Sequence, residues 1–304
     1  MVPGCRESRR SVGDYLLNEN DVRANRIFPD AVAYGGWPMD VHIPGGIMDF
    51  DSLPSKIFNF DGVYTIPYRS YYSKNIDNLM MAGRDISATK MAMGSTRIMG
   101  TCAVGGQAVG TAAALAVRYS CSPCELGGRI TELQQLLMKD DCYIPGFANS
   151  DTMDLARTAK VSATSELPYH NAVNVINGVA RKVGTQENCW ESDGIGDSGA
   201  KITLAWPTHK VIREVRIIFD PNLTREIMPS ITAQVKNRQV KGMPEELVKD
   251  YTIDFYRGDN IVLSQDVRGN YLRLRTLQLP DSVEADKICL TVWSYLWLQI
   301  GTHF

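Results

Sequence analysis

No hydrophobic period persists along the first 75 residues. Tyr, Pro, Gly and Asp recur there in clusters such as Tyr34-Gly35-Gly36-Trp37-Pro38 and Ile66-Pro67-Tyr68-Arg69-Ser70, which predict loop-heavy structure with short strands. The character then changes. Asn78-Leu79-Met80-Met81-Ala82-Gly83 is an apolar run closed by glycine, the pattern of a buried strand in a parallel sheet. After a polar turn the pattern predicts a helix from about Arg97 to Arg118, with Gly106, Gly110 and Ala114 at four-residue spacing. Glycine inside a helix costs about 1 kcal/mol relative to alanine, so such a surface implies close packing on a sheet or on a flat ligand. Arg129 to Lys139, with Ile130, Leu133, Leu136 and Leu137 on one face, predicts a second, amphipathic helix, ended by Asp140-Asp141 and Pro145-Gly146.

From about Ala156 the helical period gives way to short β-type runs: Ile202–Trp206, Val211–Phe219, Tyr251–Tyr256, Tyr271–Leu277 and Ile288–Trp293. Turn residues separate them at the spacing of an all-β sandwich or jelly roll. Residues 147–155 read as a linker, so the chain divides into residues 1–150 and residues 151–304. No internal repeat or low-complexity tract interrupts either part.

Composition narrows the function classes. The 304 residues carry 32 Lys plus Arg against 34 Asp plus Glu, a net charge of −2, and 44% are hydrophobic. Disorder and collagen-like repeats are excluded, and the absence of a basic footprint argues against a nucleic-acid partner. Every long apolar stretch is interrupted by Gly, Gln, Thr or charge, so no membrane span is expected. The N-terminal residues lack the apolar segment of a signal peptide, which leaves localisation open. The seven cysteines are too few and scattered for a disulfide framework. Cys121-Ser-Pro-Cys124 has redox or metal spacing but no second pair or nearby histidine, and His42, His170, His209 and His303 lie far apart. The sequence therefore predicts reduced thiols and no metal site.

Two stretches invite a nucleotide or anion reading. Gly194-Ile-Gly196-Asp-Ser-Gly199 fits the dinucleotide fingerprint, with Asp220 at a suitable distance. The fingerprint works only between a strand and a helix N-terminus, whereas polar Glu191-Ser192-Asp193 precedes it and an apolar strand pattern follows, so a sandwich loop is expected. The stretch from Asn78 to Ala114 is more informative. A run ending in Gly83, a turn with Arg84, Asp85 and Ser87, and Gly94-Ser95-Thr96-Arg97 opening a Gly-rich helix would present unpaired N–H groups to an anion. A phosphate and the N1–C2=O edge of a reduced flavin suit that end equally well.

The same residues carry a resemblance. Asn75-Ile-Asp-Asn-Leu-Met-Met-Ala-Gly-Arg-Asp-Ile-Ser-Ala-Thr, then Gly-Ser-Thr-Arg-Ile-Met-Gly-Thr-Cys-Ala and Gly-Gln-Ala-Val-Gly-Thr-Ala-Ala-Ala, closely resemble the closing flavin-binding segment of the FAD-dependent oxidoreductase family. These proteins are distant relatives of fumarate reductase flavoprotein subunits, L-aspartate oxidase and heterodisulfide reductase flavoprotein subunits. Arg6-Glu7-Ser8-Arg9-Arg10, Gly13-Asp14-Tyr15, Tyr34-Gly-Gly-Trp-Pro and Ile66-Pro-Tyr-Arg are similar to the region just before it, so the likeness spans about residues 5–145.

The resemblance implies FAD as cofactor and hydride transfer between flavin and an unidentified small-molecule substrate. It puts Gly83 and Arg84 at the ribityl or phosphate part, Ser87, Ser95 and Thr96 in the cofactor-binding set, and Met99, Thr101 and Cys102 against the isoalloxazine. Arg97 is the catalytic candidate, since the matching arginine of fumarate-reducing relatives grips a substrate carboxylate; its alternative is a structural salt bridge. Arg10, His42, Tyr68 and Arg69 are candidates for the substrate-side wall. Lys90 and Met93 stand where relatives more often carry histidine. The family's opening strand, Gly-rich turn and helix do not precede residue 5, so the chain resembles the C-terminal part of a longer flavoprotein. The cysteines offer no iron–sulfur cluster run.

Residues 156–165, Val173-Asn-Val-Ile-Asn-Gly-Val, Trp190-Glu-Ser-Asp and Val215–Leu223 resemble a discoidin-type, galactose-binding-like jelly roll. This resemblance makes carbohydrate a candidate partner, with Trp190, Trp206 or Trp297 as sugar-stacking faces or as core. The tail from Trp293 to Phe304 departs from the final strand of that pattern. The expected fold is thus α/β, an incomplete FAD-binding Rossmann-like domain, followed by an all-β jelly-roll sandwich. The expected function is an FAD-dependent oxidoreductase, with two alternatives: a non-catalytic carbohydrate-binding or interaction protein carrying a remnant flavoprotein segment, or a subunit completed by a separate chain.

Overall fold

A computed structural model describes residues 9–223, 232–240 and 242–296. The chain divides into two units, Met1–Asn149 and Ser150–Phe304. Arg6, Glu7 and Ser8 of the expected flavoprotein motif, and Trp297 with most of the tail, lie outside the described residues.

The first unit mixes helices with small antiparallel ribbons. Helix α1, Glu19–Arg23, starts at a capping box in which the Asn18 side chain accepts from the Asp21 N–H and the Asp21 carboxylate accepts from the Asn18 N–H. Strands β1, Ala31–Gly35, and β4, Tyr64–Pro67, pair with Tyr34 opposite Thr65; β2, Met39–His42, and β3, Ser55–Phe58, pair with Asp40 opposite Ile57. Helix α2, Lys90–Thr96, is capped by the Thr89 hydroxyl, which accepts from Ala92 N–H at 3.2 Å. Helices α3, Met99–Tyr119, α4, Pro123–Leu126, and α5, Ile130–Lys139, complete the unit.

Its core is rich in tyrosine. Leu17, Phe28, Ile66, Ala108, Ala112, Leu133 and Leu137 pack around Tyr64, Tyr68 and Tyr71. A buried phenol requires a partner for its hydroxyl. Tyr64 donates to Ser95 Oγ, Tyr68 to the Pro123 carbonyl and Tyr72 to Asp14 Oδ2, each at 2.7 Å. The Gln134 amide of α5 donates to the carbonyls of Pro29 and Ala31, both at 2.9 Å, and so ties that helix to the start of β1.

Two sequence expectations change here. Residues 78–83 form no strand: Met80 makes an isolated antiparallel bridge to Tyr72, and Met81 N–H donates to Tyr71 O at 2.8 Å. An apolar run becomes a strand only where a neighbouring strand supplies a ladder, and among the described residues none lies alongside it. The strand pairs of this unit are antiparallel; its parallel contact is an isolated bridge between Leu17 and Ala88. The Gly-rich helix does not open at Gly94. Gly94–Thr96 close α2, the chain breaks at Arg97 and Ile98, and α3 starts at Met99.

The second unit is all-β. Strands β5, Lys160–Ala163, and β6, Ala200–Ile218, are followed by a short helix, α6, Ala233–Lys236, and then by β7, Val248–Arg257, β8, Asn260–Val267, and β9, Leu274–Tyr295. They form one antiparallel sheet in the order β5-β6-β9-β7-β8. Four of the five predicted runs are halves of the two long strands. The β6–β9 register shifts between Ala205 and Lys210 and again between Ile212 and Glu214, and Pro207 and Pro280 sit in these bulges, where no ladder N–H is required. Beyond the bulges the ribbon folds back over the sheet, so that Ile212, Phe219 and Leu279 share a core with Tyr251, Ile253 and Phe255. The Phe219 and Tyr251 rings lie 5.1 Å apart. Gly194–Gly199 is the loop expected from the sequence, running directly into β6 with no helix after it.

Candidate functional site

The site begins with the way α3 starts. Ile98 at its N-cap has no side chain able to accept a hydrogen bond, and no side chain caps the first turn. Met99 is 88% exposed and Gly100 is open, and no side chain takes up the N–H groups of this first turn at the positive end of a helix of 21 residues.

The turn carrying Gly83, Arg84, Asp85 and Ser87 comes up beside this end. The charges of Arg84 and Asp85 both act on the Cys102 thiol, whose pKa is raised chiefly by burial, lowered by Arg84 and raised by Asp85. Cys102 Sγ donates to Thr96 O at 3.4 Å, closing the joint between α2 and α3. Gly83 holds φ at +104°, a conformation side chains rarely adopt, and a Cβ there would meet nothing within 4 Å, so the backbone is bare on that side. Arg10 reaches in from the N-terminal segment: its Nε donates to Ala88 O at 2.8 Å and its NH1 lies 3.5 Å from the Met93 sulfur.

Two hydroxyls of this region are conspicuous. Ser87 Oγ and Thr96 Oγ1 are fully enclosed and make no hydrogen bond among the described residues. A buried hydroxyl without a partner costs about 1–3 kcal/mol, so both are unsatisfied groups within this unit.

Other candidate residues are committed elsewhere. Ser95 accepts from Tyr64 and donates to Trp37 O, a role within the core. The Arg97 side chain is only 7% exposed; its NH2 group bonds Asp40 O and Asp40 Oδ2 at 3.0 Å each and lies 3.0 Å from His42 Nε2. Arg97 and His42 therefore meet, and the ion pair that was the alternative reading of Arg97 is present. Tyr68 is buried with its hydroxyl on Pro123 O. Arg69 grips Asp30 with two nitrogens, at 2.9 and 3.1 Å, and this hydrogen bond raises its pKa against the opposing effect of burial. Tyr68 and Arg69 instead border a cleft of about 420 Å³ shared with Pro29, Tyr72 and Cys124. The substrate-side candidates thus fall into three places: Arg10 against Ala88 and against Met93 of α2, His42 against Arg97 at the α2–α3 joint, and Tyr68 with Arg69 at the cleft. Sequence reasoning missed the hydroxyl of Thr89, whose cap shows where α2 starts, and the buried Gln134, for which hydropathy gives no signal.

Trp206 and Trp190 of the second unit pack on its core. Trp206 is buried and its indole donates to Leu155 O at 2.9 Å; Trp190 packs against the same core and donates to Ser165 O at 3.0 Å.

Helix α3 is long and apolar enough to cross a membrane by length and composition, and one face of it, with Gly105, Ala108, Ala112, Leu115 and Ala116, is buried in the first unit's core.

Comparison with known proteins bears on the first unit. The model of the family described as FAD dependent oxidoreductase matches residues 1–137, nearly all of the first unit, and the resemblance read from the sequence stands for that unit. No curated protein matches the chain. Similar solved structures include a family 32 carbohydrate-binding module of C. perfringens NanJ in complex with galactose, at 14% identity and TM-score 0.31, covering 46% of this chain and 86% of that one. A Streptococcus pneumoniae fucose-binding module is similar at 10% identity and TM-score 0.34, covering 48% of this chain and 89% of that one.

Proposed function

We propose that the first unit supplies one wall of an FAD site in a flavin-dependent oxidoreductase, with the start of α3 as the surface that receives the cofactor. The observation carrying this reading is the uncapped, exposed first turn of α3 set beside the Arg84 turn and two enclosed hydroxyls without partners. These residues fit the group: N–H donors and a positive helix end suit its electron-rich edge, and the bare backbone at Gly83 permits close approach. FAD, when bound, supplies the hydride-transfer chemistry.

The chain's own residues then position and tune. Met99, Thr101 and Cys102 present the α3 backbone; Gly83 and Arg84 border it on the side of the turn; Arg10 holds that turn to α2 through Ala88. Arg97 acts as a positioning residue. Its ion pair with Asp40 and contact with His42 pin the α2–α3 joint to β2, which fixes where α3 begins.

Titration of the full chain with FAD, followed by flavin absorbance and fluorescence, tests the reading. Saturable quenching is expected, and Met99→Glu should weaken it roughly two- to fivefold, because a carboxylate at a helix start takes up about 0.3–1 kcal/mol of the same dipole. An unchanged flavin spectrum at excess FAD, or identical binding by Met99→Glu, overturns the assignment.

A further inference from the structure

Between β5 and β6, residues 164–199 contain no strand, and a single 3-10 stretch, Ala172–Ile176, interrupts the loops. Polar side chains hold this segment in place of a ladder. Asn174 Nδ2 donates to the carbonyls of Tyr169 and Cys189, each at 3.1 Å, and Glu191 N–H donates to His170 O at 3.3 Å.

That framework brings together three donors of different kinds. Ligand atoms of His170, Glu187 and Cys189 all lie within 4.8 Å of one another, and all three side chains are half-buried. His170 Nδ1 is 3.3 Å from Cys189 Sγ and 3.4 Å from Glu191 Oε2. The Glu187 carboxylate is already paired with one cation, the Lys182 ammonium. A thiol beside an imidazole is also the pairing of a nucleophilic cysteine. However, Asp220, Glu187 and Glu191 surround the sulfur with negative charge, the reverse of the electropositive setting such a cysteine needs.

We infer that His170, Glu187 and Cys189 form a binding site for a zinc-type divalent cation, with Glu191 or a water as the fourth ligand. Sulfur, imidazole nitrogen and carboxylate oxygen are the donors that tetrahedral zinc takes, whereas calcium and magnesium call for oxygen throughout. Zinc bonds of about 2.0–2.3 Å put neighbouring donors roughly 3.5 Å apart, close to the separations around His170. The acidic surroundings favour a cation, and the half-burial limits competition from water. The metal would join position 170 to positions 187–191 and so staple a segment that has no strand of its own. The sequence pattern does not point to this site, because the three ligands match no recognised spacing and only the fold of the loop brings them together.

Cobalt(II) titration of the full chain tests the site, since a tetrahedral thiolate complex shows both intense visible bands and a sulfur-to-metal charge-transfer band. One equivalent should bind with both signatures and be displaced by zinc. Cys189→Ser should abolish the charge-transfer band, Cys124→Ser should leave it intact, and His170→Ala should weaken binding about tenfold or more. If Cys189→Ser fails to fold by circular dichroism, the conservative Glu187→Gln substitutes for it, and should also weaken cobalt binding about tenfold. Absence of cobalt binding, octahedral spectra without charge transfer, a band that follows Cys124 instead of Cys189, or unaltered affinity in both His170→Ala and Glu187→Gln overturns the proposal.

Discussion

Helices α3 and α5 lie in the same unit and differ in how completely this chain uses them. Helix α5 divides cleanly: Leu133, Gln134, Leu137 and Met138 are buried, while Thr131, Glu132 and Lys139 sit on its polar side. Every part of its pattern has found its counterpart. Helix α3 is apolar or small almost all round, yet only one face is covered. Gly105 lies directly under Tyr71, where an added Cβ would come within 2.6 Å of the phenol oxygen, while Gly100, Gly106 and Gly110 face open space. On the same open side Ala103, Ala113 and Ala114 are exposed, and Val117 is 81% exposed. The difference teaches that a glycine-rich helix is not one signal. Gly105 is required by contact within this chain, and Gly106 and Gly110 are not.

Substitutions along the two helices sharpen that contrast, each read as a shift in urea unfolding followed by the helical far-UV signal. The largest effect is expected at Leu137→Ala, which removes a wholly enclosed side chain and should cost about 2–5 kcal/mol, whereas Val117→Ala on α3 should stay within about 0.5 kcal/mol. Comparable losses at both positions would mean that α3's open face is covered after all. Next comes Gly105→Ala. The Tyr71 ring is enclosed and cannot swing aside, so about 1–3 kcal/mol of overpacking is expected. The smallest effect has the opposite sign: Gly110→Ala should stabilise by up to about 1 kcal/mol, since a methyl group there meets nothing and helix propensity favours it. A destabilised Gly110→Ala would show a close neighbour on that face and break the comparison.

How much of this was legible depends on whether the deciding contact is local. Helix α5 could be read from its period and its terminating residues, and the all-β character of the second unit from its alternating runs. The start of α3 could not. Thr89 announces α2, but nothing at Ile98 announces a new helix, and the break is set by Arg97 reaching across to Asp40 on β2, 57 positions away. Residues 78–83 have the hydropathy of a buried strand without a ladder partner. Pro207 and Pro280 read as strand ends, whereas long-range register shifts let β6 and β9 continue through them. Strand β8 escaped because Ile261 and Val262 are exposed neighbours in an edge strand and show no clean alternation. In the candidate site, Gly83, Arg84, Thr96 and Cys102 were legible as a group through the family resemblance. Their separation from Tyr68 and Arg69 was not, since Pro123 O and Asp30 draw those two side chains away.

The continuity of β6 and β9 through their bulges has one more consequence. Each of these strands runs through both the sheet and the part folded back over it, so the folded-back layer has no backbone of its own to release. Loosening the fold-back section would draw on the same two strands that anchor β5 and β7. Amide protons on the two layers should therefore exchange with solvent together, as one cooperative opening, instead of peeling away layer by layer.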